Sequence, residues 1–470
     1  MREQSEALCF QTARQIAHLI ATRQVTSRAV TQYFLDRIAR SSALNAFTVV
    51  FPEQALAAAD AADSALDTGH SLSPLHGVPV AIKDNIEIAN TLASAGSLSR
   101  LTAISSATST VVQRLQAAGM VILGKTQMTE FAFGLSGQNP TRGTPWNPWD
   151  AKQQRAPGGS SSGAAVAVAA GLAPIAVGGD TGGSIRAPAS LNHLVGFKPS
   201  SGLISVDGVV PLAPSLDVLG PIARDVDDAH ALTAIMASPS TGTGLDIQSE
   251  LASKLLPATP GTVFVLDQGA FPSVLSMGTR RVWDQVLVNL HAAGWTLENW
   301  APQAELDIGQ LSECNSMIIA YEGYRQFGHL AHDPAQLLWK VVRHRILAGA
   351  DISRDAYEHA IAQRAKAAEA FTRTIGLSGV LLMPVSGHGA LPLDDEDTHH
   401  TSIGQFSRAG NYLGTPAIAL PAGFDEAQMP IGVQLLSPVS TDMHLLKIAS
   451  AMAPSLLLDA RKPALERWGL

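Results

Sequence analysis

Two serines in this 470-residue chain are each preceded by a pair of glycines, Gly158-Gly159-Ser160 and Gly182-Gly183-Ser184, and they stand 24 residues apart. Upstream, Lys83 ends the apolar run Val78-Pro79-Val80-Ala81-Ile82. A serine nucleophile needs a base, a path for its proton and donors for the oxyanion that its attack creates. Lysine serves as that base only when neutral. Its ordinary pKa is about 10.4, so it must be stripped of water, and the apolar run before Lys83 predicts that burial. Glycines leave bare backbone N–H groups at a turn. The three segments therefore supply what a hydrolase needs to activate serine with lysine rather than histidine.

Each segment also has a plainer reading. Ser160 to Ser162 could cap a helix beginning near Ala164. Gly182 and Gly183 could make an ordinary turn, and Lys83 could simply end a strand. Other patterns compete. Gly119-Met-Val-Ile-Leu-Gly124-Lys125-Thr126 matches the phosphate-loop pattern GxxxxGK[ST], but its middle residues read as a strand following a helix, the inverse of the required order. Gly159-Ser-Ser161-Ser-Gly163 fits the nucleophile elbow GxSxG. No strand feeds it, and nothing marks His388 or His444 as a partner. Asp394-Asp-Glu-Asp-Thr-His399-His400 reads as a solvated acidic loop rather than a metal site, because no helix sets a ligand spacing.

Bulk properties narrow the class. The net charge is −8, with 46% hydrophobic and 15% charged residues. An acidic chain offers no electrostatic footprint for nucleic acid or an anionic membrane surface. Two cysteines, Cys9 and Cys314, make no disulfide framework, so a reducing, cytoplasmic setting is expected. The N-terminus carries charges through its apolar positions and lacks a signal-peptide centre. The stretch from Ala164 to Gly179, broken by Pro174, is too short and too weakly apolar to span a bilayer.

The elements that must position the serines read as α/β. Residues 10–40 carry helical spacing (Ala13, Ile16, Ala17, Ile20; Val30, Tyr33, Phe34, Ile38), which predicts two amphipathic helices, the second capped by Ser27. These helices could form a homodimer face. Residues 53–66 predict a third helix. Strands are predicted at Val78–Lys83, Met120–Leu123 and Leu172–Val177, with helices at Thr110–Ala118 and Ala164–Ala170. Residues 238–261 read as a surface connection and 280–375 as mostly helical. Val380–Pro384, Ala417–Pro421 and Ile431–Leu436 read as returning strands. The absence of repeats or a polar linker predicts one domain over 1–470.

The same residues resemble the amidase signature family. The runs GGSSSG and GGDTGGSIRAPAS (178–190) are similar to its defining stretch, and HGVPVAIKDN (76–85) to its lysine strand. GKTQMTEFAFG, NPWD, GFKPSSGLIS, LDVLGPIARDVDD and NYLGTPAIALPAGF follow in order. The resemblance implies a large mixed β-sheet surrounded by helices, with helical residues 1–66, a catalytic core over 76–230, a specificity region over 270–410 and returning strands with a C-terminal helix over 411–470. It implies Ser184 as nucleophile, Ser160 as bridging serine after a cis Gly159–Ser160 bond, and Lys83 as base. It also implies an oxyanion hole from the N–H groups of Thr181, Gly182, Gly183 and Ser184. Asp180, Arg186 and Ser161 would support the loop, with Arg186 alternatively meeting a substrate carboxylate. Ala132, Phe133 and Gly134 would line the acyl pocket. One small departure is Ser162, where many members have glycine. The expected reaction is hydrolysis of a carboxamide, with no metal or organic cofactor. The expected partner is a small-molecule amide, without nucleic acid or membrane. The alternatives are a glutaminase-type subunit of a tRNA-dependent amidotransferase and a non-catalytic scaffold of the same fold.

Overall fold

Seven strands of this chain are buried along their whole length, and they assemble at the centre of a single mixed sheet. The computed structural model describes residues 8–237, 255–393, 403–456 and 461–470. The strands are β1 (Phe47–Val50), β2 (Pro79–Lys83), β3 (Val121–Thr126), β4 (Ala176–Asp180), β5 (Val195–Lys198), β6 (Val218–Ala223), β7 (Thr262–Leu266), β8 (Thr296–Trp300), β9 (Leu381–Pro384), β10 (Ala417–Phe424) and β11 (Pro430–Leu436). Their order is β1-β3-β2-β4-β6-β5-β10-β11-β9-β7-β8. β2 runs parallel to both β3 and β4, whereas β4 and β6 are antiparallel. Strands covered on both faces read as continuous apolar runs rather than alternating ones, as Val80-Ala81-Ile82 and Leu381-Leu382-Met383 do.

The parallel β2–β4 pairing brings the chemistry together. Ala81 faces Ala176 and Ile82 faces Val177, so Lys83 and Asp180 both sit at carboxyl ends on the same rim of the sheet. That rim is where open α/β sheets bind ligands. β4 lies four residues later than the predicted Leu172–Val177 strand. Pro174 has no N–H to give a ladder, so the chain pairs only from Ala176.

Helices α1 (Ala13–Ala21), α2 (Ser27–Arg40) and α3 (Pro52–Asp67) open the chain. Thr12 caps α1 in a capping box with Gln15. Thr26, not Ser27, caps α2. Ser27 is buried and donates from Oγ to the Gly77 carbonyl at 2.7 Å. The apolar face of α1 (Ala13, Ile16, Ala17, Ile20) is buried within the chain. The backbone N–H groups of Ala13 and Arg14 reach the Asp228 carboxylate at 2.5 and 2.9 Å. That face is thus covered by the chain's own fold and is not the dimer surface that its amphipathicity suggested.

Next come α4 (Thr110–Ala117), α5 (Ser162–Ala169) and α6 (Arg186–Leu191). All eight residues of α5 are buried. A Cβ at Gly163 would meet the Ala46 carbonyl oxygen at 2.2 Å, so only glycine allows this close approach. Small residues let α5 lie against the sheet and deliver the serines at its start. The helical 280–375 region is interrupted by the edge strand β8, whose Thr-Leu-Glu-Asn-Trp is mostly exposed. The remaining α-helices among the described residues are α7 (Val226–Met236), α8 (Met277–Ala292), α9 (Ile308–His332), α10 (Lys340–Leu347), α11 (Arg354–Ile375), α12 (Arg408–Tyr412) and α13 (Asp442–Leu456). The predicted connection at 238–261 lies largely outside the described residues, as does the acidic loop at 394–400. Among the described residues no helix is long and apolar enough to cross a membrane.

Candidate active site

Lys83 is 1% exposed at the end of β2. Its Nζ donates to Ser160 Oγ at 2.7 Å and to the Gly179 carbonyl at 3.2 Å. Burial pulls the lysine down to about 7, and the charges of Asp217 and Asp180 only partly oppose it. The Gly159–Ser160 peptide is cis. Ser161 Oγ accepts from the Gly179 N–H at 3.2 Å, and the Ser161 N–H donates to the Ser184 carbonyl at 3.3 Å. The two serine segments are therefore stitched to one another and to β4.

The loop after β4 is held by Asp180. Its carboxylate accepts from the N–H groups of Gly183 at 2.7 Å and Ile185 at 3.1 Å. It pairs with Arg186 through Nε and Nη2, each at 3.1 Å. Asn411 Nδ2 adds a bond at 2.9 Å. Burial alone would raise the Asp180 carboxyl, but Arg186, Lys198 and Asn411 outweigh it and hold it well below the usual carboxylate range. Arg186 is fully buried and spends its remaining donors on Gln434 at 2.8 Å and Asn411 at 2.6 Å. A guanidinium bonded in this way braces the loop from within the core.

The loop corrects one member of the expected oxyanion hole. The Gly183 N–H is already given to Asp180. Among the described residues none of the N–H groups of Thr181, Gly182 and Ser184 has an acceptor in the protein, so these three are the donors left. Gly183 has a different task. Its φ is 118°, and a Cβ there would stand 2.2 Å from Ser407 Oγ. We expect Gly183→Ala to lower kcat by about 100-fold or more through a misplaced Ser184, read as steady-state amide hydrolysis beside an unchanged circular-dichroism spectrum.

Asp217 and Asn315 were missed by the sequence reading. Asp217 accepts from Thr181 Oγ1 at 2.6 Å and from the N–H groups of Leu212 and Ala213 at 2.9 and 3.1 Å. Burial pushes its carboxyl up to about 6 against those bonds and the Lys83 charge. Asn315 Nδ2 donates to the Thr181 carbonyl at 3.2 Å. Asp217 sits in the LDVLGPIARDVDD run, an acid directly before a buried strand, which is a readable signal. Asn315 lies in the middle of α9 with no motif around it.

A cavity of about 310 Å³ opens in front of Ser184. Ala132, Phe133 and Gly134 line it, as do Thr181, Gly182 and Ser184. The competing patterns fall elsewhere. Lys125 of the phosphate-loop match is buried in β3, bonded to the Leu92 carbonyl at 2.7 Å and 3.5 Å from Asp84. His444 is bonded to the Ser378 carbonyl, away from the serines.

This geometry has relatives. The family described as Amidase matches residues 29–446. The glutamyl-tRNA(Gln) amidotransferase of Ralstonia nicotianae has one subunit that is 35% identical, over 96% of this chain and 99% of its own length. Among solved structures, native peptide amidase from Stenotrophomonas maltophilia superposes with a TM-score of 0.81 at 27% identity, covering 97% of this chain and 98% of that one. A structure described as a vestigial protein complex revealing the evolutionary origins of an s-triazine catabolic enzyme gives 0.84 at 30% identity, covering 94% and 98%.

These relatives correct the expected partners, which were a small-molecule amide without nucleic acid and at most a second copy. The Ralstonia relative is by name one subunit of an amidotransferase that acts on a charged tRNA. A net charge of −8 bears on direct contact with nucleic acid, and it is silent on contact made through another subunit. The long match, the shared mixed sheet and the kinship with peptide amidase agree: the chain belongs to the amidase signature family, enzymes that cleave the C–N bond of amides.

Proposed function

We propose that this chain hydrolyses a carboxamide through an acyl-enzyme on Ser184, and that it works as the amide-cleaving subunit of an assembly with at least one unlike chain. The observation that carries the chemistry is the 2.7 Å contact between a buried Lys83 and Ser160. Neutral Lys83 takes the Ser160 hydroxyl proton while Ser160 takes that of Ser184. Ser184 Oγ bonds to the amide carbon, and the carbonyl electron pair moves onto oxygen. The N–H groups of Thr181, Gly182 and Ser184 meet that oxyanion, and losing one such donor costs about 3–4 kcal/mol of barrier. Collapse breaks the C–N bond, and the proton returns through Ser160 to the departing nitrogen. Water then attacks the ester, gives its proton along the same path and releases the carboxylate.

The 270–410 region would set specificity, since Ser316, Ile319, Arg345 and Ala348 reach the cavity from it. A cytoplasmic setting goes with this reading, as expected for a chain with only two cysteines. Ser160→Ala should cut amide turnover by about 100-fold or more. A rate near wild type in that variant would break the proton path.

The assembly half of the proposal is supported by two of the relatives, the s-triazine complex and the Ralstonia tRNA amidotransferase. Native mass spectrometry of the tagged chain isolated from its own host tests it. A species heavier than the 49.2 kDa chain and containing a second sequence is expected. A fully active species made of this chain alone would contradict it.

A further inference from the structure

Each backbone donor left for the oxyanion belongs to a peptide plane whose other end is already held. Among the described residues the one cis bond is Gly159–Ser160, so the peptides of the oxyanion loop are trans. In a trans peptide the N–H points away from the carbonyl of the preceding residue, and the plane is stiff. A bond to that carbonyl therefore aims the N–H. The Thr181 N–H shares its plane with the Asp180 carbonyl, which accepts from Asn411 Nδ2 at 3.0 Å. The Ser184 N–H shares its plane with the Gly183 carbonyl, which accepts from the Ala187 N–H at 2.7 Å. Between them, the Gly182 N–H shares its plane with the Thr181 carbonyl, and that carbonyl accepts from Asn315 Nδ2 at 3.2 Å.

Asn315 differs from the other two holders. The Ala187 bond belongs to the first turn around α6. Asn411 also bonds the Asp180 carboxylate and Arg186, so it is part of the brace behind the loop. Asn315 lies inside α9, fully buried, and among the described residues its Oδ1 has no hydrogen-bond partner. A carbonyl oxygen only accepts, which fixes the amide nitrogen as the atom that faces Thr181. A Cβ at Gly182 would stand 3.3 Å from that nitrogen, so glycine lets the amide close on the loop. Burying an amide for one bond and leaving its oxygen unpaired is unfavourable for stability. An apolar side chain would fill the same space without that cost. Packing therefore does not explain an asparagine here; a donor to one carbonyl does. Thr181 is gripped a second time, because its Oγ1 donates to Asp217 at 2.6 Å.

We propose that Asn315 is a positioning residue for the reaction: by holding the Thr181 carbonyl it aims the Gly182 N–H at the oxygen on which negative charge develops. The same bond polarises the peptide and strengthens its N–H as a donor. The proposal rests on Ser184 being the nucleophile.

The test uses the full chain in its native assembly and a small alkyl fluorophosphonate. Ser184 Oγ bonds to phosphorus, its proton passes to Ser160, fluoride leaves, and the phosphoryl oxygen stands where the oxyanion would. Asn315→Leu copies the branched shape of the amide and has no donor. It should lower the maximal rate of Ser184 labelling by about tenfold or more and leave the half-saturating probe concentration within about threefold of wild type. Its melting temperature should stay within about 2 °C of wild type or rise, because the unpaired oxygen is removed with the donor. A side chain that only supported the core would give the reverse, a lower melting temperature and an unchanged labelling rate in the folded protein. If Asn315→Leu does not fold, the smaller Asn315→Val must show the same loss of rate. A smaller loss in the folded variant, or a loss carried by the half-saturating concentration, would overturn the role of Asn315 and leave a labelled Ser184 standing. A wild-type chain in which Ser184 takes no label would overturn the nucleophile and this proposal together.

Discussion

Ser184→Ala is expected to abolish amide hydrolysis and to leave the fold intact. The expected loss is on the order of 10⁴- to 10⁶-fold in kcat, the range seen when a nucleophilic serine is removed from a unit that acts together. Only the hydroxyl is deleted. Ser184 is held through its backbone: its carbonyl accepts from the Ser161 N–H, and its loop is pinned by Asp180 and Arg186. The melting temperature should therefore move by no more than a few degrees, about what a change of roughly 1 kcal/mol produces in a chain of this size. Steady-state release of ammonia or amine, measured beside a thermal melt, checks both halves. A folded Ser184→Ala protein with full activity would remove the mechanism at its root.

The second large effect belongs to Lys83. Lys83→Met keeps the volume of the side chain and removes its titrating nitrogen, so amide kcat/KM should fall by about 1,000-fold or more. The pH profile gives the sharper signature. Burial lowers Lys83 to about 7, so the neutral base becomes more abundant as pH rises through that value. Wild-type kcat/KM should climb with unit slope below about pH 7 and flatten above it. Asp217 at about 6 and Lys198 at about 7 titrate in the same window, which is why the variant is needed. In Lys83→Met the residual rate should lose the step near 7. A step that survives unchanged would assign it to another group.

Much of this site can be read in the chain because its demands are local. A close backbone approach and a positive φ need glycine, so Gly158-Gly159 and Gly182-Gly183 announce the two serines. A neutral lysine needs apolar neighbours, and Val80-Ala81-Ile82 supply them. Side-chain geometry is another matter. Asp180 stands three residues before Gly183, yet nothing in their spacing says that the carboxylate folds back and takes that N–H at 2.7 Å. The role of Arg186 stays open in the sequence, and only the fold shows it buried and bonded to Asp180, Asn411 and Gln434. Asn315 comes from the helical half, where no local pattern sets it apart from surface residues.

The fold shows the same division. Buried strands such as β2 and β9 declare themselves by apolar runs. β8 does not, because an edge strand facing solvent keeps Glu298 and Asn299 exposed and so mimics a helix or a loop. The amphipathic face of α1 correctly predicts a helix and misleads about its partner, which is the chain's own core. Composition misleads about partners for a related reason. Net charge describes one chain, whereas assembly is a property of surfaces.

The central claim is a covalent one, a bond from Ser184 Oγ to the acyl group of the substrate. The most direct measurement is rapid acid quench of the turning-over enzyme, followed by digestion and mass spectrometry of the peptides carrying Ser160 and Ser184. The mechanism predicts an acyl mass increment on Ser184 that appears within the first turnover, disappears as substrate is exhausted and never forms in Ser184→Ala. An increment on Ser160, or turnover in which Ser184 stays unmodified throughout, would contradict it.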